Sequence, residues 1–320
     1  MNLDGLHVAW FADFGTSFVS ENLLLCVNSD LTGLRLRMGM PAQALATRGV
    51  CNTLVSIAPG DKLPMLDPKP DIAVFTKAYI YTDALRNESA ERFIEAAQSL
   101  KQSGTAIVFD LSDNLFADPR REYALQMLRL ADEIVTSSSI LGELVIDHCG
   151  KTSHVAPEPL EGLRREPRFV AQPRGFLKRL FGGYESEPLR LLWFGAQPGN
   201  FRALMRWRAE LARLARHRAL QLEIVMKPVE EIRQGVAAMQ NDGIAATLHT
   251  WSPATMTAQL EQCDLVLLPT DSTDQHFFTA SPNRLVTAMW AGRFVIAGAI
   301  PSYLEFNDCA GVGDNPVAGI

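Results

Sequence analysis

The sequence predicts an α/β protein built as two doubly wound halves, and three observations carry this. Short apolar runs alternate with amphipathic helical patterns along the whole chain. The cycle runs once up to residue 160 and again from residue 188. Several runs, Leu191-Leu192-Trp193-Phe194 and Leu265-Val266-Leu267-Leu268 among them, are apolar at every position rather than at every second one. A strand apolar on both faces suits a parallel sheet with helices on both sides. Strand–helix alternation winds such strands into an open sheet.

In the first half the pattern predicts strands at residues 7–14, 53–58, 72–78, 106–111, 133–138 and 154–156. Helices fall between them at 34–48, 90–103, 122–131 and 140–148. In the second half strands fall at 189–194, 221–226, 246–251, 265–269 and 294–297, and helices at 202–217, 229–240, 254–262 and 282–291. A last strand is expected near 310–312. The chain stops at Ile320, before the C-terminal helices that would close such a domain, so a trimmed fold or a truncated chain is expected. A link rich in Pro, Gly, Arg and Glu runs from Pro157 to Pro188, and the domains read as 1–160 and 188–320 with the linker proper at 161–187 inside it. Within it, residues 174–181 are basic and amphipathic. They suit either weak contact with an anionic membrane surface or packing of their Phe and Leu residues on a domain.

The chain has 320 residues, 47% hydrophobic and 21% charged, with a formal net charge of −6. This is globular composition, and the acidic balance argues against broad nucleic-acid binding. Five scattered cysteines show no metal-ligand spacing and read as reduced thiols in a cytosolic compartment. No window is long and apolar enough to span a membrane, and the N-terminus lacks a basic n-region. The expected location is cytoplasmic or peripheral to the inner face of the membrane.

The densest signal is Ser281-Pro282-Asn283-Arg284, running through Gly292 into Arg293-Phe294-Val295-Ile296-Ala297. Ser281 reads as a helix N-cap, Pro282 as the first helical residue and Gly292 as the left-handed stop. Such an N-terminus, with Asn283 and Arg284 beside it, suits an anion. Helical spacing puts Asn283, Thr287 and Trp290 on one face and Leu285, Ala288 and Met289 on the other.

Six segments in order carry a family resemblance: Leu34-Arg35-Leu36-Arg37 with its helix; Ile107-Val108-Phe109-Asp110-Leu111-Ser112-Asp113-Asn114; Ala131-Asp132-Glu133-Ile134-Val135; Leu191-Leu192-Trp193-Phe194-Gly195; Cys263-Asp264-Leu265-Val266-Leu267-Leu268-Pro269; and the stretch from Ser281 to Ala297 with Ile300-Pro301. The chain thereby resembles the GT-B glycosyltransferases, in their group 1 (family 4-like) branch. The resemblance implies two Rossmann-like doubly wound domains facing a cleft, with a nucleotide-sugar donor on the C-terminal domain and an acceptor on the N-terminal one. It also implies retention of anomeric configuration, no metal and no cofactor beyond the donor as co-substrate. The family usually carries two acids eight residues apart at the donor. Those places hold Thr279 and Thr287 here, and a threonine offers a single neutral contact.

Each candidate residue has a chemical reason and a plainer alternative. Gly195 and Asn200 bound a glycine turn after a strand, where backbone N–H groups approach phosphate, or a plain turn. Lys227 ends a strand and suits a departing diphosphate, or is a solvated lysine. His276 lies in a loop before the donor helix and contacts sugar or phosphate, or is exposed. Asp271 and Asp274 are a weak metal signal. Asp110 and Asp113 end a strand, where a carboxylate takes a proton from an acceptor hydroxyl or orients it; the alternative is a turn or cap. Gly15 belongs to the acceptor side. Of Arg35 and Arg37, one reaches the cleft and the other is solvated. The expected activity is sugar transfer from a nucleotide sugar to a glycan, lipid-linked or protein hydroxyl in polysaccharide assembly. A nucleotide-sugar epimerase and a non-catalytic binding module are the alternatives.

Overall fold

The computed structural model describes residues 3–58, 60–76, 86–117, 119–167, 188–196, 198–271 and 274–313, with backbone only at 86–89, 275 and 276. The basic segment 174–181 lies outside the described residues. The chain divides into two compact units, Met1–Pro159 with Thr279–Ser281, and Leu160–Phe278 with Pro282–Ile320.

The N-terminal unit contains β1 (His7–Phe11), β2 (Phe18–Ser20), α1 (Leu24–Val27), α2 (Thr32–Leu34), a π-helical turn (Arg35–Gly39) and α3 (Met40–Ala46). It continues with β3 (Cys51–Ser56), β4 (Ile72–Phe75), α4 (Arg86–Gln102), β5 (Ala106–Leu111), α5 (Arg121–Leu130), β6 (Glu133–Thr136), α6 (Ser139–Cys149) and β7 (His154–Val155). The sheet order is β2-β3-β1-β4-β5-β6-β7, and every pairing is parallel except β2 with β3. On one face Phe11 stacks on Phe75 at 4.4 Å and Phe109 meets the edge of Tyr123. On the other, Trp10 packs with Leu34, Met38 and Leu54, and its indole N–H donates to Asn52 Oδ1 at 2.9 Å. Both faces are therefore covered, which is why the strands are apolar throughout.

The C-terminal unit contains β8 (Leu189–Phe194), α7 (Pro198–Arg206), α8 (Arg208–His217), β9 (Leu220–Met226), α9 (Glu230–Asn241), β10 (Ala245–Thr250) and α10 (Pro253–Gln262). Then follow β11 (Leu265–Leu268), α11 (Gln275–Phe278), α12 (Asn283–Trp290), β12 (Phe294–Ala297), α13 (Pro301–Leu304) and β13 (Gly311–Val312). The all-parallel order β10-β9-β8-β11-β12-β13 reverses between β8 and β11, the kind of switch point where doubly wound sheets open a crevice. Trp193 is fully buried and meets the edge of Phe201 at 5.7 Å.

The helix expected at 202–217 is two helices. The chain turns at Trp207, which leaves its indole buried in the core. Residues 160–167, read as linker, belong to this unit. Arg165 N–H donates to Trp290 O at 2.9 Å, the Trp290 indole donates to Gly162 O at 3.3 Å, and Arg164 lies over the Trp290 ring. Gly292 has φ of 72°, as expected of the stop, and a Cβ there would sit 2.2 Å from Glu166 O. All five cysteines are free thiols, and burial pushes Cys26 up to about 12. Among the described residues no helix is long and apolar enough to cross a membrane.

Candidate functional site

Doubly wound sheets bind ligands beyond the carboxyl ends of their strands, and the two carboxyl edges of this chain differ in chemistry. In the N-terminal unit this edge holds a buried charge network. The π turn brings in Arg37, whose Nε donates to Asp110 Oδ2 at 2.9 Å. Its Nη2 forms an ion pair with Asp110 Oδ1, and its Nη1 donates to Ala156 O at 2.5 Å. Arg37 and Asp110 are 8% and 4% exposed, so neither charge is solvated. Burial works against the Arg37 charge. Its hydrogen bonds to Asp110 and the pull of Asp110, Glu158 and Asp113 outweigh that and hold the guanidinium above its ordinary value.

This corrects the reading of the two arginines. Neither is solvated: Arg35 is 5% exposed and donates from Nη1 to Ser29 O at 2.7 Å. Arg37 joins the end of β5 to the segment after β7. The π turn is the reason, because its wider winding shifts side chains off the α-helical faces that the spacing implied.

Asp110 also changes role. Both its oxygens are engaged by Arg37, so it fixes that arginine. Asp113 follows β5 and is half-buried. The turn-forming residue here is Asn114, whose Oδ1 accepts from Phe116 N at 3.1 Å and Ala117 N at 3.3 Å. Gly15 has φ of 77°, and its N–H donates to the buried Asp13 carboxylate at 2.7 Å.

Glu158 was missed by the sequence reading, since Pro157-Glu158-Pro159 looked like the start of a linker. It follows β7 and its carboxyl accepts from the Ser281 hydroxyl and its own backbone N–H. Burial pushes it up, and Arg37 and these hydrogen bonds pull it down. Asp113 pushes it up again, and the net shift is upward. The sequence signal was an acid locked between two prolines directly after a strand.

Ser281 does not cap α12. Pro282 occupies the N-cap position, with φ of −76°, and no side chain caps it. Ser281 therefore sits one residue too early to cap, and its hydroxyl goes to Glu158.

The carboxyl edge of the C-terminal sheet is built differently. Gly195 ends β8 where a Cβ would lie 2.9 Å from the Trp193 ring and 3.2 Å from Asn200 Cβ, so only glycine lets the chain turn there. Arg284 Nη1 donates to Phe194 O at 3.4 Å. This places a guanidinium at the end of β8. Lys227 ends β9, is exposed, and has no ion-pair partner among the described residues. On α12, Thr287 Oγ1 donates to Asn283 Oδ1 at 3.0 Å, so these two share a face as expected. Leu285 and Ala288 are fully buried on the other. Asp271 is ion-paired with Arg206 at 2.5 Å. The His276 side chain lies outside the described residues. Among the described residues no group of three or more His, Cys, Asp or Glu is placed to hold a metal.

Solved structures share this architecture. WaaG, a glycosyltransferase involved in lipopolysaccharide biosynthesis, is 17% identical with a TM-score of 0.53, over 97% of this chain and 89% of that one. The chain has the GT-B fold. Anabaena Alr3699/HepE, in complex with UDP-glucose, is 12% identical with a TM-score of 0.56, over 98% and 88%. The α,α-trehalose 6-phosphate synthase of Burkholderia multivorans is 9% identical with a TM-score of 0.56, over 98% and 88%. No protein-family model matches the sequence, and no curated protein matches it. The likeness of this GT-B chain to them is one of fold.

Proposed function

We propose that the chain is a glycosyltransferase that moves a sugar from a nucleotide-sugar donor to a hydroxyl acceptor. The observation that carries this reading is the carboxyl edge of the second sheet. There a glycine turn and the Arg284 guanidinium lie at the end of β8, one side of the reversal of strand order, and the exposed Lys227 follows the adjacent strand β9. This is the chemistry of a diphosphate site: cations and backbone N–H groups, with no carboxylate among the named residues. The UDP-glucose held by HepE, which has the same fold, supports a nucleotide sugar as the donor.

In this reading Gly195, Asn200, Lys227, Asn283, Arg284 and Thr287 hold the donor, with His276 in the adjoining segment. Lys227 and Arg284 stabilise the departing diphosphate as negative charge grows on it. The acceptor lies at the N-terminal edge, where Gly15 and Asp113 face it and Arg37 and Asp110 hold the frame. Orientation and leaving-group stabilisation carry the rate, without a metal and with retention of configuration.

Thermal unfolding with UDP, GDP and ADP tests this. One nucleotide should raise the midpoint in proportion to the logarithm of its concentration. No shift with any of the three sinks the reading. A second reading is a GT-B module that binds without turnover, favoured by the neutral Thr279 and Thr287 at the places of the family's two acids. It predicts the same shift, but no release of nucleotide from the matching nucleotide sugar with any acceptor.

A further inference from the structure

In the glycosyltransferase reading the donor meets the start of α12. Residues 160–167 hold its other end. A helix leaves its last four carbonyls without intrahelical donors. In α12 these belong to Thr287, Ala288, Met289 and Trp290. The chain that follows meets three of them. Ala291 N–H donates to Thr287 O at 3.1 Å, Arg293 N–H to Ala288 O at 3.0 Å and Gly292 N–H to Met289 O at 2.9 Å. The fourth, Trp290 O, is met from far off in sequence, by Arg165 N–H at 2.9 Å.

Further contacts fix the same segment. The Trp290 indole donates to Gly162 O at 3.3 Å, and the Arg164 guanidinium lies 5.7 Å from the centroid of its ring. Arg164 thus places a cation at the last turn of α12, the negative end of the helix dipole. Arg165 Nη2 donates to Glu261 Oε1 at 2.6 Å, at the end of α10. Glu166 O passes so close to Gly292 that a Cβ there would sit 2.2 Å from it. At its start, by contrast, no side chain caps α12, which has eight residues. A helix this short is marginal by itself, and its order is cooperative along its length. A group that satisfies one end therefore stabilises the turn at the other.

Resting on the glycosyltransferase reading, we propose that residues 160–167 are a clasp that orders α12 and is coupled to donor binding. With the clasp closed, Asn283, Arg284 and Thr287 are held in one arrangement, and the nucleotide binds without first ordering the helix. By reciprocity the bound nucleotide favours the closed clasp by the same factor. Arg165 and Trp290 are positioning residues. They touch no donor atom and act through the helix.

Arg165→Pro tests this on the full chain. It removes the N–H that meets Trp290 O and leaves every side chain of α12 in place. Without nucleotide, hydrogen exchange of residues 286–291 should quicken about fivefold, the loss of one capping hydrogen bond. The nucleoside diphosphate that stabilises the parent should bind the variant about fivefold more weakly. In the parent the same nucleotide should slow trypsin cleavage after Arg164 and Arg165. A segment that only supports the fold would lower the unfolding midpoint and leave affinity and cleavage unmoved. That result overturns the proposal, and so does unchanged exchange. Trp290→Phe keeps a ring beneath Arg164 and loses the N–H to Gly162. It should change exchange and affinity in the same directions by about threefold, and it decides the matter if Arg165→Pro does not fold. Absence of any UDP, GDP or ADP shift in the parent overturns the donor reading and the coupling with it. The exchange rates without nucleotide then still decide whether the clasp orders α12.

Discussion

The two carboxyl edges of this protein solve different problems with different chemistry. The N-terminal edge is a closed electrostatic network. Its arginine and Asp110 are buried, bonded to each other and tied to the backbone of a neighbouring strand end. The C-terminal edge is open. Lys227 is exposed, Arg284 holds one long bond to a carbonyl, and Thr287 and Asn283 bond each other. A closed network fixes geometry and tolerates little change. An open edge keeps its donors for something that arrives from solvent. The first therefore reads as the frame of a site whose geometry must hold, and the second as a site for a highly charged ligand.

The strongest way to break this contrast is Arg37→Met. It removes the guanidinium that engages both Asp110 oxygens in a buried pair, which should cost about 3–5 kcal/mol in urea unfolding at pH 7. The loss should shrink as pH falls, because the Asp110 carboxyl then takes up a proton. Arg37→Met with Asp110→Asn should recover part of it. A loss below about 1 kcal/mol, in the range of an exposed pair, means the network is not the frame described.

Lys227→Ala asks the opposite question. Stability should stay within about 0.5 kcal/mol, because the side chain is exposed. Affinity for the nucleoside diphosphate that stabilises the parent should fall about tenfold or more, the loss of a charged hydrogen bond. Isothermal titration of both proteins measures it. Unchanged affinity removes Lys227 from the donor site.

A smaller effect separates two carboxylates of the same unit by sign. Asp132 accepts from Ile107 N at 2.9 Å and pairs with Lys101, and these hold it below its ordinary value. Its contribution is present above the unfolded value and lost as pH falls through the folded one. Glu158 is shifted the other way, mainly by burial. The folded state binds that proton more tightly than the unfolded state, so stability falls as pH rises through the shifted value. Glu158→Gln should therefore gain on the parent between pH 5 and 8, whereas Asp132→Asn should lose. Unfolding midpoints across that range decide it, and the same sign for both variants refutes the assignment.

Much of this contrast was legible in the sequence. Strands β5, β8 and β12 have the predicted bounds, because continuous apolar runs ending at Asp, Gly or a turn leave little freedom. What escaped was local. β2 and α1 are three and four residues long, too short for any period to register. The π turn buries both Arg35 and Arg37, where the spacing left one of them in solvent, and no helical period foretells a change of winding. Trp207 looked like one more helical residue, and its burial in the core split the helix. Glu158 was hidden by composition: a proline on each side reads as linker, although the same prolines are what hold it in place. Ser281 looked like a cap, and its hydroxyl went to a carboxyl 123 residues away in sequence, where no local rule could place it.

Thr287 gives the finest test of the open edge. Its hydroxyl donates to Asn283 Oδ1 at 3.0 Å, which leaves its oxygen able to accept from a ligand. In the glycosyltransferase reading that oxygen takes one ribose hydroxyl, where the family's acid would take two. A neutral hydrogen bond of this kind is worth about 0.5–1 kcal/mol. The parent should then prefer a ribonucleoside diphosphate to its 2′,3′-dideoxy analogue by about threefold, and Thr287→Val should remove the preference. Thr287→Glu supplies a charged acceptor on the same face and should enlarge it. If Thr287→Val leaves the ratio unchanged, the threonine only fastens Asn283. The open edge would then hold its ligand through the phosphates alone.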